Sequence, residues 1–180
     1  MTLYLLFEQL ERGRVALDTP LSVSARASMQ APSKLNLRPG ATIAVEDAIK
    51  AMVTLSANDV SVVVAENIAG SEDAFAQMMT RKARELGMSS TAFYNPHGLP
   101  HSPPNITTAR DLSVLGRAIQ DRFPKYFAYF QTRSFQYGSR TIRGHNRLLG
   151  KVEGVDGIKT GYVNDSGFNL VASAQRDGVR

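Results

Sequence analysis

The sequence predicts an α+β domain in which a helical cluster packs on an antiparallel sheet. Three observations carry that reading. Apolar residues at helical spacing recur through most of the first 131 positions. From about residue 132 the texture changes to short alternating runs, which turn at Gly138-Ser139 and at Asn164-Asp165-Ser166-Gly167. Helices precede strands, without the β-α-β alternation of a parallel sheet. The 180 residues form one domain, with a helical part over about 1–131 and a hairpin and sheet part over about 132–180.

Each element has its own signal. MTLYLLFEQLERG reads as a buried helix, apolar on most sides before Glu8 and stopping at Gly13. Residues 14–44 are rich in Ser, Pro and Gly and read as short extended pieces and turns. In VEDAIKAMVTL, Val45, Ala48, Ile49, Met52 and Val53 share one helical face, with Glu46 and Asp47 in the first turn. Ser56-Ala57-Asn58 joins this helix to a second, from about Asp59 to Ala69, that ends at Gly70. A third runs from about Glu72 to Leu86, with Ser71 as cap and Gly87 as stop. The helix dipole accounts for the acids of its SEDAF start.

TAFYNPHGLPHSPPN is a proline-rich loop. Thr108 with Asp111 resembles a capping box, opening a helix to about Asp121. Pro124 starts a short aromatic helix, PKYFAYF. Phe123, Tyr126, Phe127, Tyr129 and Phe130 there are read as packing residues. RSFQYGSRTIR is a hairpin, GHNRLLGKVEG a loop, and VDGIKTGYVNDSGFNLVAS two strands joined by a turn.

Composition narrows the function. A hydrophobic content of 43% is that of a globular fold. There is no cysteine, which excludes disulfides, thiolate metal sites and cysteine catalysis. The formal charge of +5 is expected to be spread along the chain without a basic block, so no nucleic-acid partner is expected. No P-loop or dinucleotide fingerprint is present. His97, His101 and His145 are scattered, so neither metal nor cofactor is expected.

Two polar triplets carry the chemistry. Ser56-Ala57-Asn58 lies in a tight connection between helices, and Lys159-Thr160-Gly161 lies on a strand. A cation, a hydroxyl donor and a bare backbone in a row suit the docking of an anionic peptide end. Together the triplets resemble the S-x-N and K-T-G motifs of the penicillin-interacting serine enzymes. NPHGLP, TTARDLSVLGRAI, GHNRLL, VDGIKTGY and GFNLVASA extend the resemblance, in order, to the D-alanyl-D-alanine carboxypeptidases, the low-molecular-mass penicillin-binding proteins.

That resemblance implies a β-lactamase/transpeptidase-like fold and removal of the terminal D-alanine from peptidoglycan stem peptides through an acyl-enzyme. It also implies β-lactams as covalent inhibitors of the full-length form, and an exported, periplasmic location. Ser56 resembles the serine that relays a proton. Asn58 resembles the asparagine whose amide holds the substrate backbone, and Lys159 the lysine that places positive potential beside nucleophile and carboxylate. Thr160 would donate to the terminal carboxylate, Gly161 would leave room for the peptide, and the Tyr162 N–H would form half of the oxyanion hole. Arg147 is a further substrate-binding candidate. His97 and His145 are expected to be structural or substrate-positioning.

One departure stands out. The resembled family uses the serine of S-x-x-K as nucleophile, with the lysine as base. The residues three before Lys34, Lys50, Lys82, Lys125, Lys151 and Lys159 are Ala31, Asp47, Met79, Arg122, Leu148 and Asp156. None is serine, so the nucleophile is expected upstream. The uncapped apolar start and the hairpin signal Asp177-Gly178, with no returning strand, lead to the expectation of a chain cut at both ends. Two alternatives stand beside this reading: a catalytically inactive homologue that binds muropeptide or partner proteins, and a β-lactamase of the same fold. Against the latter, no glutamate starts an E-x-x-L-N pattern.

Overall fold

The structure, a computed structural model, describes residues 1–179. Helix α1 (Thr2–Glu11) is the centre of the core, and every residue from Thr2 to Leu10 is buried. Its Phe7 ring meets Phe123, Tyr126 and Phe130, as the aromatic packing expectation required. Each such ring or leucine withdrawn from water contributes roughly 1.5–3 kcal/mol.

Glu8 is the polar exception on this helix, 3% exposed. Its carboxylate lies 2.6 Å from Arg122 and 3.1 Å from Lys82. A buried carboxylate persists only when paired, so Glu8 ties α1 to the two helices that carry those cations.

The stretch read as short extended pieces and turns holds two such pieces and, beyond that reading, one short helix. Strand β1 (Pro20–Ser22) pairs antiparallel with β2 (Thr42–Ala44), through Leu21 opposite Ile43. Between them, α2 (Ala25–Ser28) is capped by Ser24, whose hydroxyl accepts from the Ala27 N–H. Helices α3 (Val45–Thr54) and α4 (Asn58–Ala69) follow, and Gly70 closes α4 at φ +79°. Ser71 caps α5 (Glu72–Glu85) and Thr108 caps α6 (Ala109–Arg122), both as the sequence predicts.

Pro124 opens α7 (Pro124–Phe127), which passes into a 3₁₀ turn, Ala128–Gln131. Two hairpins complete the fold. Strand β3 (Ser134–Tyr137) pairs with β4 (Arg140–Arg143), and β5 (Val155–Val163) pairs with β6 (Gly167–Ala174). The described residues therefore hold three separate two-stranded ladders.

Two glycines seat the last hairpin on the helices. A Cβ on Gly116 of α6 would lie 3.0 Å from the Ile158 side chain and 3.6 Å from that of Val171. A Cβ on Gly157 would lie 3.2 Å from the Phe127 ring. Missing side chains at these points let β5 lie close to both helices, and that fixes the height of Lys159. No helix among the described residues is long and apolar enough to cross a membrane.

Candidate functional site

Ser56 lies in the turn between α3 and α4 at φ +57°, a left-handed conformation uncommon for residues other than glycine. Such strain persists only where the surroundings impose it, and it recurs at functional positions. Here it turns the Ser56 hydroxyl toward β5. Lys159 follows the buried Ile158 on that strand, opposite Val171 of β6. Its ammonium donates to the Ser56 hydroxyl and, at 2.6 Å, to the Thr160 carbonyl. Burial pulls the lysine from its ordinary 10.5 down to about 8. The two triplets thus meet across 103 positions of sequence.

Asn58 opens α4 and is 6% exposed. Its amide N–H₂ donates to the Ala31 carbonyl at 3.0 Å, and its backbone N–H to the Ser33 carbonyl at 2.8 Å. One of the two side-chain N–H donors of Asn58 is thus held by the Ala31 carbonyl, and the second N–H and the side-chain oxygen are left for a ligand. Asp59, which sequence reasoning passed over, is fully buried. Its carboxylate accepts from the backbone N–H groups of Leu35 at 3.0 Å, Leu37 at 3.2 Å and Val60 at 2.9 Å. The charge is satisfied at a helix N-terminus, and it fixes the 35–37 loop beside Asn58. The sole signal in the sequence was an acid in the first turn of a predicted helix.

Thr160 is half-buried, and Gly161 and Tyr162 are exposed. The Tyr162 ring lies 4.6 Å from that of Phe168, and its hydroxyl donates to Asn164. Arg147 is exposed in the loop before β5. His145 of the same loop donates its backbone N–H to the Thr54 carbonyl at 3.2 Å, next to the Ser56 turn. Its imidazole is held below the ordinary 6.5, first by partial burial and then by the charge of Lys159.

His97 belongs elsewhere. It is 8% exposed, its Nδ1 accepts from the Leu99 N–H, and its Nε2 lies 3.3 Å from Glu72. Glu72 also meets Arg26 and is 6% exposed. Glu72 stands in the first turn of α5, as the dipole account has it, and is in addition a buried ion-pair partner that fastens the proline-rich loop. α4 starts beside Ser56 and ends next to α5, and its 12 residues span about 18 Å, so the cluster lies a helix length from the site. His101 makes one contact, with the Pro103 carbonyl.

The site therefore holds a cation of lowered proton affinity, a serine hydroxyl bonded to it, and an asparagine oxygen close by. That set can bind a carboxylate and pass a proton. It does not contain the serine–lysine pair of S-x-x-K, because no serine stands three before any lysine. Lys34 reaches the Ser28 carbonyl rather than a serine hydroxyl, so the 24–34 stretch supplies no substitute.

A family model described as D-alanyl-D-alanine carboxypeptidase matches residues 1–180. The chain belongs to the D-alanyl-D-alanine carboxypeptidase family. Its similarity to carboxypeptidase DacF of Bacillus subtilis is 31% identity over 184 residues, covering 100% of this chain and 47% of that protein. Penicillin-binding protein 6B of Escherichia coli superposes with a TM-score of 0.90 at 32% identity, over 98% of this chain and 57% of that one. Penicillin-binding protein D2 of Listeria monocytogenes, solved with cefotaxime bound, gives 0.86 at 27% identity, over 98% of this chain and 72% of that one. These neighbours bear out the α+β, penicillin-binding-protein fold. The chain spans about half the length of the curated relatives it matches.

Proposed function

We propose that these residues form the carboxylate-binding and proton-relay part of a serine-type D-Ala-D-Ala carboxypeptidase, working as one catalytic domain on the cell-wall side of a bacterial membrane. The substrate is a peptidoglycan stem peptide ending in D-Ala-D-Ala, and β-lactams are its covalent inhibitors. A serine hydroxyl attacks the penultimate D-alanine carbonyl, the terminal D-alanine leaves, and water frees the acyl-enzyme. The attacking serine and its base lie outside the residues described above.

Lys159 sets the positive potential that receives the terminal carboxylate, with the Thr160 hydroxyl as second donor. Ser56 carries a proton toward the departing amine, and its bond to a lysine that titrates near 8 suits that task. Asn58 holds the substrate backbone through its side-chain amide. Gly161 leaves room for a peptide laid along β5, the Tyr162 N–H faces the developing oxyanion, and Arg147 lies at the entrance.

The observation that carries this reading is the hydrogen bond between Lys159 and Ser56. The test is equilibrium binding of a short peptide ending in D-Ala-D-Ala, beside the same peptide as its C-terminal amide. The free acid is expected to bind at least about tenfold more tightly, and Lys159→Ala to remove that preference, as loss of a charged hydrogen bond implies. Equal binding of acid and amide would overturn the assignment.

A further inference from the structure

The formal charge of +5 is not spread along the chain. Residues 132–152 hold Arg133, Arg140, Arg143, Arg147 and Lys151 and no acid, and outside them the remaining 16 cations balance the 16 acids. All five cations are exposed. None is ion-paired with an acid among the described residues.

The fold gathers four of them, Arg133, Arg143, Arg147 and Lys151, and places Arg140 on the opposite face of the hairpin, with Ile142. Phe135 and Ile142 pair across the β3–β4 hairpin and anchor it in the core, while Ser134 pairs with Arg143 on the other face. The Gly144 N–H donates to the Arg133 carbonyl at 2.8 Å. The Arg133 guanidinium lies over Gly150, where an added Cβ would be 2.7 Å from Nη1. Arg133 therefore covers the loop that bears Arg147 and Lys151. At the other end, Arg140 donates to the Leu35 carbonyl at 2.5 Å. It lines a groove of about 320 Å³ with Asn36, Arg38 and Tyr137.

This basic surface is fastened to the Ser56 turn twice. The His145 N–H bonds the Thr54 carbonyl two residues before Ser56, and Asp59 holds Leu35 and Leu37 three residues after it. A single peptide end offers one carboxylate, which Lys159 takes. Four clustered cations without acidic partners among the described residues call for a ligand with many carboxylates, which planar guanidinium groups bind through paired hydrogen bonds.

We infer that Arg133, Arg143, Arg147 and Lys151 form a docking surface for the carboxylates of neighbouring stem peptides in polymeric peptidoglycan. The identity of the polymer rests on the proposed function; the location of the surface does not. The surface raises the local concentration of peptide ends beside Lys159 through contacts outside the scissile bond.

The test is cosedimentation of the chain with purified peptidoglycan sacculi, untreated or with their carboxylates amidated, from 20 to about 300 mM salt. Binding is expected to fall steeply with salt and to vanish on amidation. Replacing Arg133, Arg143, Arg147 and Lys151 with Gln is expected to weaken it about tenfold or more, as four exposed ion pairs would together. A control with the same loss of charge, Gln at Arg81, Arg84, Arg110 and Arg117, is expected to bind as the parent does. Equal loss in the control, undiminished binding to amidated sacculi, or binding to anionic phospholipid vesicles in place of sacculi would overturn the proposal. The assay reads docking alone. Charge-dependent docking with no carboxylate preference at Lys159 would overturn the proposed function and leave the surface standing.

Discussion

The Lys159 ammonium donates to the Ser56 hydroxyl, joining the middle of β5 to the left-handed turn between α3 and α4. Everything else at the site follows from that bond. β5 reaches the turn because Gly116 and Gly157 let it lie close to α6 and the aromatic helix. The lysine loses water on arriving there, and its proton affinity falls.

Lys159 therefore makes stability depend on pH in a definite direction. Its folded value of about 8 lies below the unfolded 10.5, so between them the unfolded chain binds more protons. Stability is expected to rise by about 1–3 kcal/mol as pH climbs from 8 toward 10. Carboxylate binding is expected to weaken over the same range, as the cation is neutralised. Urea unfolding at pH 7.5, 9 and 10 checks this, and Lys159→Met should flatten both trends. A parent chain whose stability is level across that window would contradict the burial of the ammonium.

The backbone of Ser56 sets a second expectation. Glycine adopts φ +57° freely, whereas a β-branched residue does not. Ser56→Gly should relieve the turn while removing the hydroxyl that accepts from Lys159, so its stability is expected to exceed that of Ser56→Val. Ser56→Val should cost about 1–3 kcal/mol. Denaturant midpoints of the pair decide this, since equal midpoints would mean the turn imposes no strain.

Asp59 fixes the floor beside the site through three backbone N–H groups. Asp59→Asn keeps the shape but removes the charge and turns one oxygen into a donor facing donors. A loss of about 2–4 kcal/mol is expected, with faster amide exchange at Leu35 and Leu37. Unchanged exchange at those two amides would show that the carboxylate does not hold the loop.

Glu72 governs the acid side. The hydrogen bond from His97, followed by the Arg26 guanidinium, holds its carboxyl below the ordinary 4.5. Its contribution is complete above that value and disappears as pH falls through the folded one. Glu72→Gln should therefore narrow the stability difference between pH 6 and pH 3, with the proline-rich loop loosened at every pH. Thermal unfolding across that range reads it, and an identical slope in the variant would contradict the pairing.

Local chemistry was legible where one residue decides it. Ser71 and Thr108 cap helices, Gly70 stops one, Pro124 starts one, and Gly138-Ser139 turns a hairpin, all as predicted. What escaped depends on distant partners. Leu21 meets Ile43 across 22 positions, and no short-range period announces a three-residue ladder. The pairing of Glu72 was hidden because Arg26 and His97 come from remote parts of the sequence, one on α2 and one in the proline-rich loop. At the site, the motif residues Ser56 and Lys159 were visible as types. The Asn58–Ala31 bond and the buried Asp59 were not, because both depend on how the 31–37 loop returns. The charge excess of residues 132–152 was present in the sequence and was missed because its cations stand three to seven positions apart; which of them share a face depends on the hairpin and the loop after it.

The most direct measurement is labelling with a fluorescent penicillin in the source bacterium, comparing the parent gene with a Lys159→Ala allele. The protein that yields the peptide VDGIKTGY is expected to carry the label, and the allele to reduce its labelling rate by about 100-fold or more at equal protein level, as loss of a preorganised charge at a reacting centre does. Equal labelling in the two strains would contradict the role given to Lys159 and, with it, the site built around Ser56.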